Sequence, residues 1–75
     1  MIKYIVLTDN PMQEIETEIK DEAAKVCLKL GLPHFYEVDS ENRIYPRGIW
    51  KISQNNESYD LKYQSWRDVV AGHKN

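Results

Sequence analysis

Residues 10–33, NPMQEIETEIKDEAAKVCLKLGLP, decide how this 75-residue chain is read. Met12, Ile15, Ile19, Ala23, Val26, Cys27 and Leu30 recur at helical spacing, which predicts one long amphipathic helix over 11–30. Asn10 has the chemistry of an N-cap, Pro11 suits the first helical position, and Gln13 lies three residues past the cap. Gly31 can take the left-handed conformation that ends a helix, Leu32 can fold back towards Val26 and Cys27, and Pro33 blocks continuation. Acids fill the first half and Lys25 and Lys29 the last, a polarity that suits the helix dipole. Glu16–Lys20 and Asp21–Lys25 would be favourable i,i+4 pairs, each contributing roughly 0.2–0.5 kcal/mol. Glu14, Glu18 and Glu22 would form a like-charged row, either a solvated face or an acidic surface for a basic partner. The balance of 10 basic against 12 acidic residues argues against a dedicated imitator of nucleic acid.

Working outward, residues 2–8 (IKYIVLT) alternate as a strand, with Ile2, Tyr4 and Val6 on one side and Ile5 and Leu7 on the other. Apolar residues on both sides predict an interior strand. A second strand is expected over 35–38, parallel to the first through a right-handed crossover. Asp39-Ser40-Glu41-Asn42 reads as a turn. Extended structure then resumes over 43–53, broken at Pro46-Arg47-Gly48 by a bulge, an edge or a division into two short strands. Gln54-Asn55-Asn56-Glu57 is the next turn, and 58–63 the last strand, with Tyr59, Leu61 and Tyr63 on one side. Ser65 followed by Asp68 marks a short C-terminal helix with Trp66, Val69 and Val70 as its buried side. Gly72 ends it and His73-Lys74-Asn75 form a frayed tail. The expected fold is a single α+β domain over 1–75, ordered β-α-β-β-β-α. A four-stranded mixed sheet carries the long helix on one face, and the short helix follows at the C-terminus. From the first helix onward the order is similar to that of double-stranded-RNA-binding domains. Those domains carry a lysine-rich start to their last helix, where this chain has Ser65-Trp66-Arg67-Asp68, and no family is assigned.

A chain this short buries only about 60% of the surface its unfolded form exposes, so modest stability is expected. The single cysteine excludes an internal disulfide and points to a reducing, cytoplasmic setting. Cys27 lies on the apolar stripe and reads as a core residue rather than a nucleophile. No run of eighteen apolar residues occurs, so no membrane span is expected. His34, His73, Cys27 and Asp39 are ligand types without a metal-binding spacing. Asp9 is explained by the turn that follows the first strand. Gly31, Gly48 and Gly72 are scattered, and none builds a phosphate cradle. These absences predict a protein that is not an enzyme and takes no metal or cofactor.

The feature that points to binding is the third strand. Alternation places Arg43, Tyr45, Arg47 and Lys51 on one side and Ile44, Trp50 and Ile52 on the other, with Lys62 of the last strand joining the first set. Arg and Tyr are enriched where proteins bind one another. Five Tyr and two Trp are also more amphipathic rings than so small a core can absorb. The expectation is an interaction module that binds a protein partner, or itself as a homo-oligomer, through Arg43, Tyr45, Arg47, Lys51 and Lys62. Its size suits an accessory or regulatory protein, such as a phage or mobile-element product acting on a host factor. A nucleic-acid binder using the same cation–aromatic face is the competing expectation.

Overall fold

The computed structural model describes residues 1–42 and 44–72. Strand β1 (Ile2–Thr8) is followed by β2 (Gln13–Thr17), α1 (Lys20–Leu30), β3 (His34–Asp39), β4 (Gly48–Asn55), β5 (Ser58–Ser65) and α2 (Trp66–Gly72). The five strands form one antiparallel sheet in the order β2-β1-β3-β4-β5. The domain is α+β as expected, but the sheet has five strands rather than four and the element order is β-β-α-β-β-β-α.

The difference arises in the opening segment. The helix predicted over 11–30 exists only as α1, and its first part is the return strand of a hairpin. Val6 faces Ile15 and Leu7 faces Glu14 across that hairpin. The turn passes through a cis Asn10–Pro11 bond, with Asn10 left-handed at φ 61°. Thr8 fixes it from within: the Gln13 N–H donates to Thr8 Oγ1 at 3.1 Å, and Thr8 Oγ1 donates to the Pro11 carbonyl at 3.1 Å. Ile15 alone among residues 13–17 is a large apolar residue, and it reaches the core equally well with period two or 3.6. What favours the strand is β1. Its backbone groups on the side away from β3 need partners, and β2 supplies them. Met12, at the head of the expected helical stripe, is instead 82% exposed.

The hairpin also sets the direction of the rest. It reverses the chain once, and α1, about 16 Å long, reverses it again. β3 therefore returns antiparallel to β1 and beside it, Ile2 facing Asp39 and Tyr4 facing Glu37, without the expected parallel crossover. Thr17 Oγ1 receives the Ile19 N–H at 3.1 Å where α1 begins. Gly31 at φ 71° closes the helix, and the Leu32 N–H donates to the Cys27 carbonyl at 2.8 Å.

Helix α1 lies on one face of the sheet. Val6, Ala23, Ala24, Cys27 and Phe35 are fully buried between them, and Tyr4, Ile15, Val26, Leu32, Trp50, Ile52, Tyr59 and Leu61 pack around that centre. Small residues at 23, 24 and 27 let the helix seat closely against the Phe35 ring. Lys20 lies 4.5 Å from the centre of the Trp50 ring, a cation–π contact at the start of the helix.

The break at Pro46-Arg47-Gly48 falls at the start of β4, whose first residue is Gly48, so residues 44–47 stand outside the strands. Arg47 ties β3, β5 and α2 together there. Its N–H donates to the Glu37 carbonyl at 2.7 Å, and its own carbonyl accepts from the Trp66 N–H at 2.8 Å and the Tyr63 hydroxyl at 3.0 Å. Gly48 leaves room for this crossing, because a Cβ there would lie 2.5 Å from the Tyr63 ring and 2.6 Å from the Gln64 carbonyl oxygen. The predicted cap of the last helix is present, the Asp68 N–H donating to Ser65 Oγ at 3.3 Å. The tail at 73–75 lies outside the described residues.

Candidate functional site

The sheet face opposite α1 carries a shallow apolar groove. Alternation along β1 and β3 turns Ile5, Leu7, Tyr36 and Val38 to this side, and Pro46 and Trp66 close over one end. With Glu14 at the β2 edge these residues line a cavity of about 240 Å³. Ile5, Val38 and Ile49 are buried beneath it, whereas Leu7 is 43% exposed. Trp66 is the one α2 side chain in this lining, so the C-terminal helix serves as one wall.

Beside the groove runs a row of basic groups. His34, Lys51 and Lys62 face one another in register across β3, β4 and β5. The His34 and Tyr36 rings meet edge to face at 5.3 Å, and His34 Nε2 shares a hydrogen bond with the Tyr36 hydroxyl at 3.3 Å. Tyr36 thereby links the groove to the basic row. Lys51 and Lys62 stand directly opposite each other with no carboxylate against either among the described residues. On the far edge Lys3 is neutralised by Glu16 at 2.7 Å.

Of the residues expected to form the binding face, the structure brings only Lys51 and Lys62 together. Arg47 belongs to the α1 side, where its Nε lies 3.7 Å from Glu37 Oε2. Glu37 Oε1 accepts the Trp50 indole N–H at 3.0 Å. Tyr45 is 65% exposed in the connection that also carries Ile44. Arg43 lies outside the described residues. Trp50 and Ile52 pack against the core. The expected acidic row is dispersed, Glu14 standing on β2, Glu18 between elements and Glu22 on α1. Leu7, His34, Tyr36 and Trp66 were not singled out by pattern for this face. For Leu7, His34 and Tyr36 the signal was the period-two alternation of β1 and β3, whose second apolar side α1 does not cover; alternation gave none for Trp66, which stands on α2.

Cys27 is fully buried, its Sγ donates to the His34 carbonyl at 3.4 Å, and burial pushes the thiol up to about 11. Burial, then the nearby Glu37 carboxylate, raises the Tyr4 and Tyr63 phenols, while Arg47 opposes the shift. Among the described residues no three His, Cys, Asp or Glu side chains cluster as a metal site, and His73 lies outside them. No helix among those residues is long and apolar enough to cross a membrane.

The chain matches no protein-family model, no curated protein and no solved structure.

Proposed function

We propose that this domain is a non-enzymatic interaction module, an accessory or regulatory protein that docks a protein partner on the sheet face opposite α1. The observation that carries the reading is the joining of an apolar groove, through Tyr36 and His34, to a lysine pair against which no carboxylate stands among the described residues. The partner it suits is a protein segment with one or two large apolar side chains followed by carboxylates. Apolar groups would enter between Leu7, Tyr36 and Trp66, and carboxylates would reach Lys51 and Lys62. Aromatic and aliphatic anchors within such a patch would supply most of the affinity, and the lysines orientation and rate of encounter. Tyr45, exposed beside Pro46, would extend the contact.

Titration with peptides that combine aromatic or leucine anchors and carboxylates, followed by tryptophan fluorescence, tests the reading. Binding should weaken about tenfold or more on Leu7→Lys and fall several-fold on Lys51→Glu with Lys62→Glu. Binding that ignores both changes would exclude this face. Nucleic acid remains the second reading because His34, Lys51 and Lys62 are aligned as cations. It requires affinity that drops steeply with salt, and the apolar lining with Glu14 and Glu16 at its edge counts against it.

A further inference from the structure

The sheet ends in two unlike edges. β2 is five residues long and presents Glu14 and Glu16 on the open face, which resists strand addition. β5 is eight residues long, and among the described residues β4 is its one strand neighbour. The direction of its backbone groups can be fixed from two hydrogen bonds. The Ile52 N–H donates to the Pro33 carbonyl, so Ile52 addresses the β3 side and Leu61, opposite it, has its own N–H and C=O turned away from β4. The Trp66 N–H donates to the Arg47 carbonyl, which sets the same phase from the other end of the ladder. Tyr59, Leu61 and Tyr63 therefore present N–H and C=O outward at the edge, and among the described residues nothing takes them.

We propose that the chain forms a two-fold dimer in which β5 pairs antiparallel with β5 of a second copy, in the register centred on Leu61. The sequence Tyr59-Asp60-Leu61-Lys62-Tyr63 is complementary to itself about its middle. In that register Leu61 meets Leu61 of the second copy and the two exchange both backbone hydrogen bonds. Tyr59 meets Tyr63, which is half-exposed, in both directions. Asp60 meets Lys62 in both directions on the open face.

Each alternative centre loses something. Centring on Asp60 or Lys62 keeps the outward backbone groups in phase but sets Asp60 against Asp60 or Lys62 against Lys62 at the centre. Centring on Tyr59 or Tyr63 separates Asp60 from Lys62. The Leu61 register also relieves a defect of the single chain, because Lys62 stands opposite Lys51 and pairing brings a carboxylate beside it. The result is a continuous ten-stranded sheet with both α1 helices on one side and both grooves on the other. This pairing shares Lys62 with the proposed docking face but leaves the apolar groove open, and its test reads mass rather than peptide binding.

The test is light scattering with size exclusion up to about millimolar chain, with charge variants at the exposed positions 60 and 62. The wild type should be a dimer. Asp60→Lys alone and Lys62→Asp alone should each weaken it about tenfold or more. The double reversal should restore it, and mixing the two single variants should give a heterodimer. In the dimer the Tyr59, Leu61 and Tyr63 amides should exchange slowly, and on dilution they should become fast. A monomer throughout, an open polymer, or a dimer indifferent to the charge reversals would each overturn the proposal.

Discussion

Glu37 Oε1 accepts the indole N–H of Trp50 at 3.0 Å, and the carboxylate thereby ties β3 to β4 at the rim of the core. Its second oxygen lies 3.7 Å from Arg47 Nε. One half-buried acid thus restrains a tryptophan and an arginine and raises two neighbouring phenols after burial has done so. Glu37→Ala leaves the indole donor without its acceptor and should cost about 1–3 kcal/mol in urea denaturation. Glu37→Gln keeps an acceptor and should cost less, while Tyr4 and Tyr63 ionise at lower pH, read as phenolate absorbance. Unmoved phenol titrations would remove Glu37 from that role.

Alkaline pH should destabilise the domain through Cys27. The folded thiol is raised from 9.0 to about 11, so the unfolded chain releases its proton first. The associated stability is fully present below pH 9 and is lost as pH rises through 11. The loss reaches up to about 3 kcal/mol. Tyr4 and Tyr63 act in the same direction from pH 10 upward. Urea midpoints measured from pH 8 to about 11 should fall, with a shallower slope in Cys27→Ala below pH 10. An equal slope in that variant would show that the thiol does not contribute.

Gly48→Ala should cost about 1–3 kcal/mol, because the added methyl meets both the Tyr63 ring and the Gln64 carbonyl. Tyr63→Leu in the same chain should recover part of the loss and not all, since the backbone oxygen remains. A double-mutant cycle measures the coupling. Full additivity would mean that the ring does not press on this position.

The hairpin and the long helix make opposite predictions at two sites. With β2 in place, Met12→Lys should change stability by no more than about 0.5 kcal/mol. Ile15→Lys, which places an ammonium group beside Val6, should cost more than about 2 kcal/mol. Thr8→Val removes the acceptor of the Gln13 N–H and should cost about 1 kcal/mol. A large penalty at Met12 with none at Thr8 would favour the helix.

These sites also mark how far the sequence could be read. The C-terminal part of the helix was legible because Ala23, Val26, Cys27 and Leu30 admit only the helical period and Gly31 ends it. The Ser65 cap and the strand nature of β1, β3, β4 and β5 were legible from alternation and turn residues. Strand β2 was not, because a single apolar residue, Ile15, cannot distinguish two periods, and Asn10-Pro11 serves a turn as readily as a helix start. Everything that depended on direction then followed the error, including the parallel crossover. The open face was half legible. Lys51 and Lys62 lie on it as alternation requires, but the bend at Arg47 carries that guanidinium to Glu37 on the α1 side. The groove needed Trp66 and Pro46 in three dimensions.

The ladder between β1 and β3 joins two stretches that are otherwise local. β1 meets β2 across a short turn, and β4 meets β5 across Asn56 and Glu57, whereas β1 reaches β3 only after the whole of α1 has been threaded past. The entropy of closing that loop falls due before the contact returns anything. The encounter of the two halves should therefore set the pace of folding. Destabilising changes at Tyr4 or Phe35 would slow refolding, while those in the β4–β5 turn would mainly hasten unfolding. The two limbs of a denaturant chevron would separate these outcomes.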